Sequence, residues 1–132
     1  MKSITKTLIL FVCLTSASFL SGGELTEEMK KDGWYSIFDG KTLDDWKSNE
    51  KYEGFEVKDG CIVGKGNRNH LYYMKEQYGN FEFKMDVKIN HGGNSGVYVK
   101  SQWQEEVFPT TGFELQVNAT HPNPMKTGSL YY

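Results

Sequence analysis

Between Phe81 and Ile89 every second residue is apolar. Phe81, Phe83, Met85, Val87 and Ile89 alternate with Glu82, Lys84, Asp86 and Lys88. A period of two places one set on each face of an extended chain, so this segment predicts a half-buried strand with its apolar set facing a core. The outward set alternates in charge, the pattern of a solvated surface rather than a site. The rest of the chain follows the same grammar. Phe55–Lys58 and Cys61–Gly64 flank Asp59-Gly60, a strong hairpin signal. Further strand patterns occur at Gly33–Phe38, His70–Met74, Gly96–Ser101 and Gly112–Asn118, separated by turn residues such as Asp39-Gly40 and the loop Gly64–Asn69. The helical exception is the short charged segment 24–32. Many short strands with regularly spaced turns predict an all-β fold, an antiparallel β-sandwich or jelly roll. A strand pattern running up to Tyr131 and Tyr132 leads us to expect a domain that is incomplete at its C-terminus.

The first 23 residues read differently. Lys2 and Lys6 precede the apolar run Leu8–Leu14, and small residues follow around Ser16–Ser18 and Ser21–Gly23. This is the layout of a secretory signal peptide, cleaved after Ser18 or Gly23, and its apolar stretch is too short to span a bilayer core of about 30 Å. The expected organisation is therefore a signal peptide over 1–23, a short linker or helix over 24–32, and a β-sandwich domain over 33–132, exported to the periplasm or secreted. No membrane association is expected once the signal is removed. Removal also takes away Cys13 and leaves Cys61, read as a small buried apolar residue within GCIVG, so no disulfide framework is expected. With 15 basic and 17 acidic residues spread evenly, the chain carries no nucleic-acid footprint.

The stretch Ile89–Asn118 holds the chemistry. In GFELQVN, Phe113, Leu115 and Val117 share one side, and Glu114, Gln116 and Asn118 the other. A carboxylate followed by two amides on one sheet face suits a polar, hydroxyl-rich ligand. Tyr98 and Lys100 alternate away from Val97 and Val99, and strand pairing could bring them beside Glu114 and Gln116. Glu114 is the first candidate for acid or base, Gln116 for binding a hydroxyl or carbonyl oxygen, and Lys100 for stabilising an enolate. Asn94 in GGNSG serves either the turn or the pocket, and His121 either a proton shuttle or an exposed loop. Trp46 and Trp103 are sugar-stacking platforms or packing residues, whereas Trp34 reads as core. No HxH, HExxH or dense acidic cluster marks a metal site, although Asp39, Asp44 and Asp45 could hold Ca2+.

Six blocks occur in order: FDGKTLDDW, FEVKDGCIVGKG, YGNFEFKMDVKI, GGNSGVYVKS, GFELQVN and TGSLY. Together they make the chain, from Gly33 onward, resemble the 3-keto-disaccharide hydrolase family of exported bacterial domains. The resemblance implies a concanavalin-like, laminin-G-like sandwich, a family domain that continues past TGSLY, and cleavage of glycosides oxidised at C3 of glucose. It implies removal of the C2 proton, β-elimination at C1 and hydration. Two-carboxylate hydrolysis is the competing route. The partner implied is an oxidised disaccharide or glucoside. Lys100 stands where the family often carries Arg, and NATHPNP replaces an expected acidic run. The alternatives are a non-catalytic carbohydrate-binding module using the same polar row, and a surface interaction domain.

Overall fold

The computed structural model describes residues 6–10, 25–66 and 68–132; the rest of the segment read as a signal peptide lies outside the described residues. The chain is all-β, with one short helix among the described residues, and falls into two compact units, residues 1–86 and 87–132. Within the described residues no helix is long and apolar enough to cross a membrane.

In the first unit, α1 (Glu27–Lys31) is set by its ends. Thr26 Oγ1 accepts from the Met29 N–H at 3.1 Å, Glu27 and Glu28 lie in the first turn and Lys30 and Lys31 in the last, each complementing the helix dipole. Gly33, at φ +86°, then turns the chain into β2 (Trp34–Ser36). The chain goes on to β3 (Trp46–Ser48), β4 (Phe55–Lys58), β5 (Cys61–Gly64), β6 (Leu71–Tyr73) and β7 (Phe81–Met85). β4 and β5 form the expected antiparallel hairpin, with Asp59 and Gly60 both at positive φ, the geometry of a primed turn. β3 and β6 pair antiparallel.

The sheet β2-β1-β7 departs from the expected pattern, because β1 (Lys6–Leu10) pairs parallel with both neighbours. Parallel partners need a connection of roughly a dozen residues or more, and residues 11–33 and the long path to β7 allow it. The alternation that predicts β7 holds through Met85: Phe81, Phe83 and Met85 are half-buried, and Glu82 and Lys84 exposed. The strand ends there, and Val87, expected inside, is exposed.

Between β3 and β6 the chain is held by polar side chains. Asn49, fully buried, accepts at Oδ1 from the His70 N–H at 3.0 Å, while its own N–H donates to the His70 carbonyl at 2.9 Å. The Arg68 guanidinium grips one oxygen of Glu50 through Nε at 2.7 Å and Nη2 at 2.6 Å. Burial first, and the Arg68 cation second, hold the His70 imidazole below its ordinary pKa, against the weaker pull of Glu50. The folded protein therefore resists protonating His70. Its contribution to stability is whole above the ordinary value of 6.5 and is lost as pH falls through the lowered native value. Urea midpoints measured from about pH 7.5 to about pH 5.5 should fall more steeply in the wild type than in His70→Gln.

The second unit is one antiparallel sheet, β8 (Ser95–Val99), β9 (Phe113–Val117) and β10 (Leu130–Tyr131), with β9 in the centre. The chain leaves β8 through Lys100, at φ +57°, and enters β9 through Gly112, at φ +86°. A Cβ on Gly112 would stand 2.8 Å from the Lys100 carbonyl carbon and the Ser101 nitrogen, which are backbone and cannot swing aside. Gly112→Ala should destabilise by about 1–3 kcal/mol from the left-handed backbone alone, and more from the clash. Gly40, also at positive φ but facing open space, is the control, and denaturant unfolding should rank Gly112→Ala well above Gly40→Ala.

Burial on β9 departs from the simple reading of its pattern, except at Val117, which is buried as expected. Phe113 and Leu115, on the apolar side, are 42% and 39% exposed, whereas Gln116 and Asn118, on the polar side, are 4% and 1% exposed. The reason lies in the segment after β9, which folds back and hydrogen-bonds to that end of the strand. Gly128 N–H donates to the Gln116 carbonyl, Gln116 N–H to the Ser129 carbonyl, and Thr127 N–H to the Asn118 carbonyl.

Candidate active site

The polar side of the β8-β9-β10 sheet gathers the groups that matter. Glu114 stands in register with Tyr98 on β8 and with Tyr131 on β10, so a tyrosine flanks the carboxylate on each neighbouring strand. The Tyr98 hydroxyl donates to Glu114 Oε2 at 2.9 Å. Gly96, two residues before Tyr98 on the same face, presents no side chain, and the Glu114 carboxyl occupies the space a Cβ would take there. Glu114 itself is half-buried. The result is a carboxylate of fixed direction on a central strand, open enough to meet a ligand.

Gln116 lies opposite Gly96. Its Oε1 accepts from the Val117 N–H at 3.0 Å, which fixes the orientation of the amide in the buried floor beneath the face. Asn118 is spent on the following loop: Nδ2 donates to the carbonyls of Asn123 (3.1 Å) and Met125 (2.8 Å), and Oδ1 accepts from the His121 N–H (3.0 Å). A side chain so engaged shapes the loop, and its role is support rather than the ligand contact expected from the alternation. The loop in turn orients His121, whose Nδ1 accepts from the Asn123 N–H at 3.1 Å. In the neutral ring the proton then sits on Nε2. The Asn123 amide also donates to the Tyr131 hydroxyl at 3.2 Å, tying the His121 loop to the strand that flanks Glu114.

Asn94 is exposed at the entry to β8. Its loop is joined to the His121 loop, because the Gly92 N–H donates to Thr120 Oγ1 at 2.7 Å. Lys100, exposed and past the end of β8, makes no salt bridge to Glu114 among the described residues; its left-handed backbone ends the alternation that would have placed it beside Tyr98. Trp103 is half-buried in the loop between β8 and β9. Trp46 belongs to the first unit, where it pairs with Tyr73 across β3 and β6 and meets that ring edge-on, with centroids 5.2 Å apart. Tyr73 stacks on Tyr78, whose hydroxyl burial and the neighbouring Tyr35 and Tyr73 hold well above the ordinary phenol pKa. Trp46 is thus part of an aromatic cluster.

Gly96, Asn123 and Tyr131 were not singled out by the sequence. The first is one glycine among 14, and the other two gain their place from a loop closure that alternation does not encode. As for metal, Asp39 Oδ1 accepts from the Lys41 and Thr42 N–H groups at 2.8 Å each, contacts that lower its pKa, and Asp45 pairs with Lys75 at 2.7 Å. The described residues contain no group of three or more His, Cys, Asp or Glu side chains arranged to hold a metal.

This geometry can be set beside known proteins. A 3-keto-disaccharide hydrolase of Bacteroides thetaiotaomicron is 32% identical over 83 residues, a match spanning 54% of this chain and 28% of that protein. The chain thus spans little more than a quarter of that relative's length. No solved structure matches it. The family model for the 3-keto-alpha-glucoside-1,2-lyase-like domain matches residues 33–132. With three-quarters of its length covered, the chain belongs to the 3-keto-alpha-glucoside-1,2-lyase-like domain family.

Proposed function

We propose that this protein cleaves glucosides oxidised at C3, by elimination across C1 and C2, with Glu114 as the base. The observation that carries the reading is the Glu114 carboxylate, directed by the Tyr98 hydroxyl on an accessible sheet face. A ketone at C3 acidifies the C2 hydrogen. Glu114 takes that proton, and the C2–H electron pair becomes an enolate delocalised onto the C3 oxygen. The enolate collapses to a C1=C2 double bond as the C1–O bond breaks. Its electron pair leaves with the aglycone oxygen, which takes a proton from a general acid. Water is that acid, and His121, whose Nε2–H is fixed by the Asn123 N–H on Nδ1, donates a hydrogen bond to the departing oxygen. Water adding across C1=C2, hydroxyl to C1 and proton to C2, yields the free 3-keto sugar and completes a net hydrolysis.

The family description and the relative's name support this order of events. The family's description is of a 1,2-lyase-like domain, which fits elimination across C1 and C2, and the relative's name is that of a hydrolase, which fits the net outcome. The leader-like layout of residues 1–23 supports placing the activity outside the cytoplasm.

The test compares an aryl 3-keto-glucoside with its unoxidised parent glucoside. Phenol release from the ketone and none from the parent is expected, because without the ketone C2–H is not acidic. Equal release from both would point to the oxocarbenium route. Binding of the ketone without release would make the chain a carbohydrate-binding module.

A further inference from the structure

Gly96 has no backbone reason to be glycine. It is mid-strand in β8, and its φ lies outside the left-handed region that Gly92 and Gly112 occupy. What it lacks is a side chain on the face it shares with Glu114. A Cβ there would stand 2.6 Å from Glu114 Cγ and 2.7 Å from Cδ, and the carboxylate oxygen Oε1 would be nearer still. The carboxylate is therefore held by two features together: the Tyr98 hydroxyl on Oε2, and a notch in the sheet face that receives Oε1.

We propose that Gly96 is a positioning residue, the absence of its side chain fixing the Glu114 carboxylate in the direction that proton abstraction needs. The proposal rests on Glu114 being the base. The neighbour displaced by a methyl group is the far end of a flexible side chain and not backbone, so the strand can persist while the carboxylate moves. Alanine also suits an extended backbone. Stability and position are thereby separable at this residue.

The experiment compares Gly96→Ala, Tyr98→Phe and Glu114→Gln in the full-length protein. Gly96→Ala should keep its melting temperature within a few degrees and its KM within about threefold, while kcat falls on the order of 10²-fold, the cost of misplacing a reacting group by about 1 Å. Adding Glu114→Gln to Gly96→Ala should cost little more, since both remove one base. A second readout needs no turnover. The 13C carboxyl resonance of Glu114, assigned by its loss in Glu114→Gln, should move in Gly96→Ala at fixed pH, as it does in Tyr98→Phe.

A folded Gly96→Ala protein with wild-type kcat and an unchanged Glu114 carboxyl resonance overturns the proposal. If the wild type has no activity on 3-keto-glucosides but the resonance moves, the notch is upheld as the device that orients the carboxylate and the reaction assigned above fails. Should Gly96→Ala not fold, Glu114→Asp is added, which withdraws the carboxylate from residue 96. Recovery of the fold supports the contact, and no recovery overturns it.

Discussion

Glu114→Gln should lower kcat on a 3-keto-glucoside by at least about two orders of magnitude, the usual share of a general base, with KM little changed. The amide is nearly isosteric with the carboxylate and still accepts a hydrogen bond from the Tyr98 hydroxyl, so the sheet and the Gly96 notch lose nothing structural. What disappears is the capacity to take a proton. Tyr98→Phe makes the graded comparison, leaving the base in place and removing its fixed direction, so a smaller loss is expected. Steady-state kinetics with both variants, alongside binding of the intact substrate, check the pair. A Glu114→Gln enzyme within a few-fold of wild type would move the base elsewhere.

Asn118→Ala should destabilise the fold by roughly 2–4 kcal/mol. The side chain is 1% exposed and serves three backbone groups at once: the carbonyls of Asn123 and Met125 and the N–H of His121. Truncation leaves all three without that partner. Each buried, unsatisfied group costs about 1–3 kcal/mol, reduced here because the loop residues are only half-buried and water can reach some of them. Asn118→Asp should be no better, since it turns a carboxylate oxygen toward two carbonyl oxygens. Urea unfolding measures the loss. Where the variant still folds, activity should fall as well, because the freed loop no longer orients His121.

These two residues show how far the sequence carries. Glu114 was legible because a strand's period of two is local: five residues suffice to place it opposite Phe113 and Leu115 and beside Gln116. Tyr98 was legible for the same reason, and only the register was needed to set it across from Glu114. The Asp59-Gly60 hairpin was readable because turn chemistry acts over a few residues, and the helix before Trp34 because its charged run stands out from the strand patterns; its Thr26 cap came from the structure.

Alternation placed Asn118 on the side of Glu114 and Gln116, and it could not show that the side chain is taken up by its own loop. Its three partners lie three to seven residues further on, in a loop whose path no periodicity describes. That same loop buries Gln116 and leaves Leu115 exposed, against the expectation that apolar residues face inward. Lys100 misled because alternation cannot anticipate a left-handed residue at the strand's end. Trp46 read as a stacking platform or a packing residue because the sequence does not show which rings meet; Tyr73 is its partner. The parallel pairing of Lys6–Leu10 was hidden for another reason, since its apolar run fits an export leader and a strand equally well.

The most direct test of the elimination mechanism follows the hydrogen on C2. A 3-keto-glucoside deuterated at C2 is turned over in ordinary water, and the earliest product is examined by NMR before the free keto sugar can enolise in solution. Proton abstraction by Glu114 predicts a product that has lost the C2 deuterium, and slower turnover of the deuterated substrate. Product that keeps its deuterium, formed at the same rate as from the protiated substrate, would contradict elimination and leave direct displacement at C1 as the route.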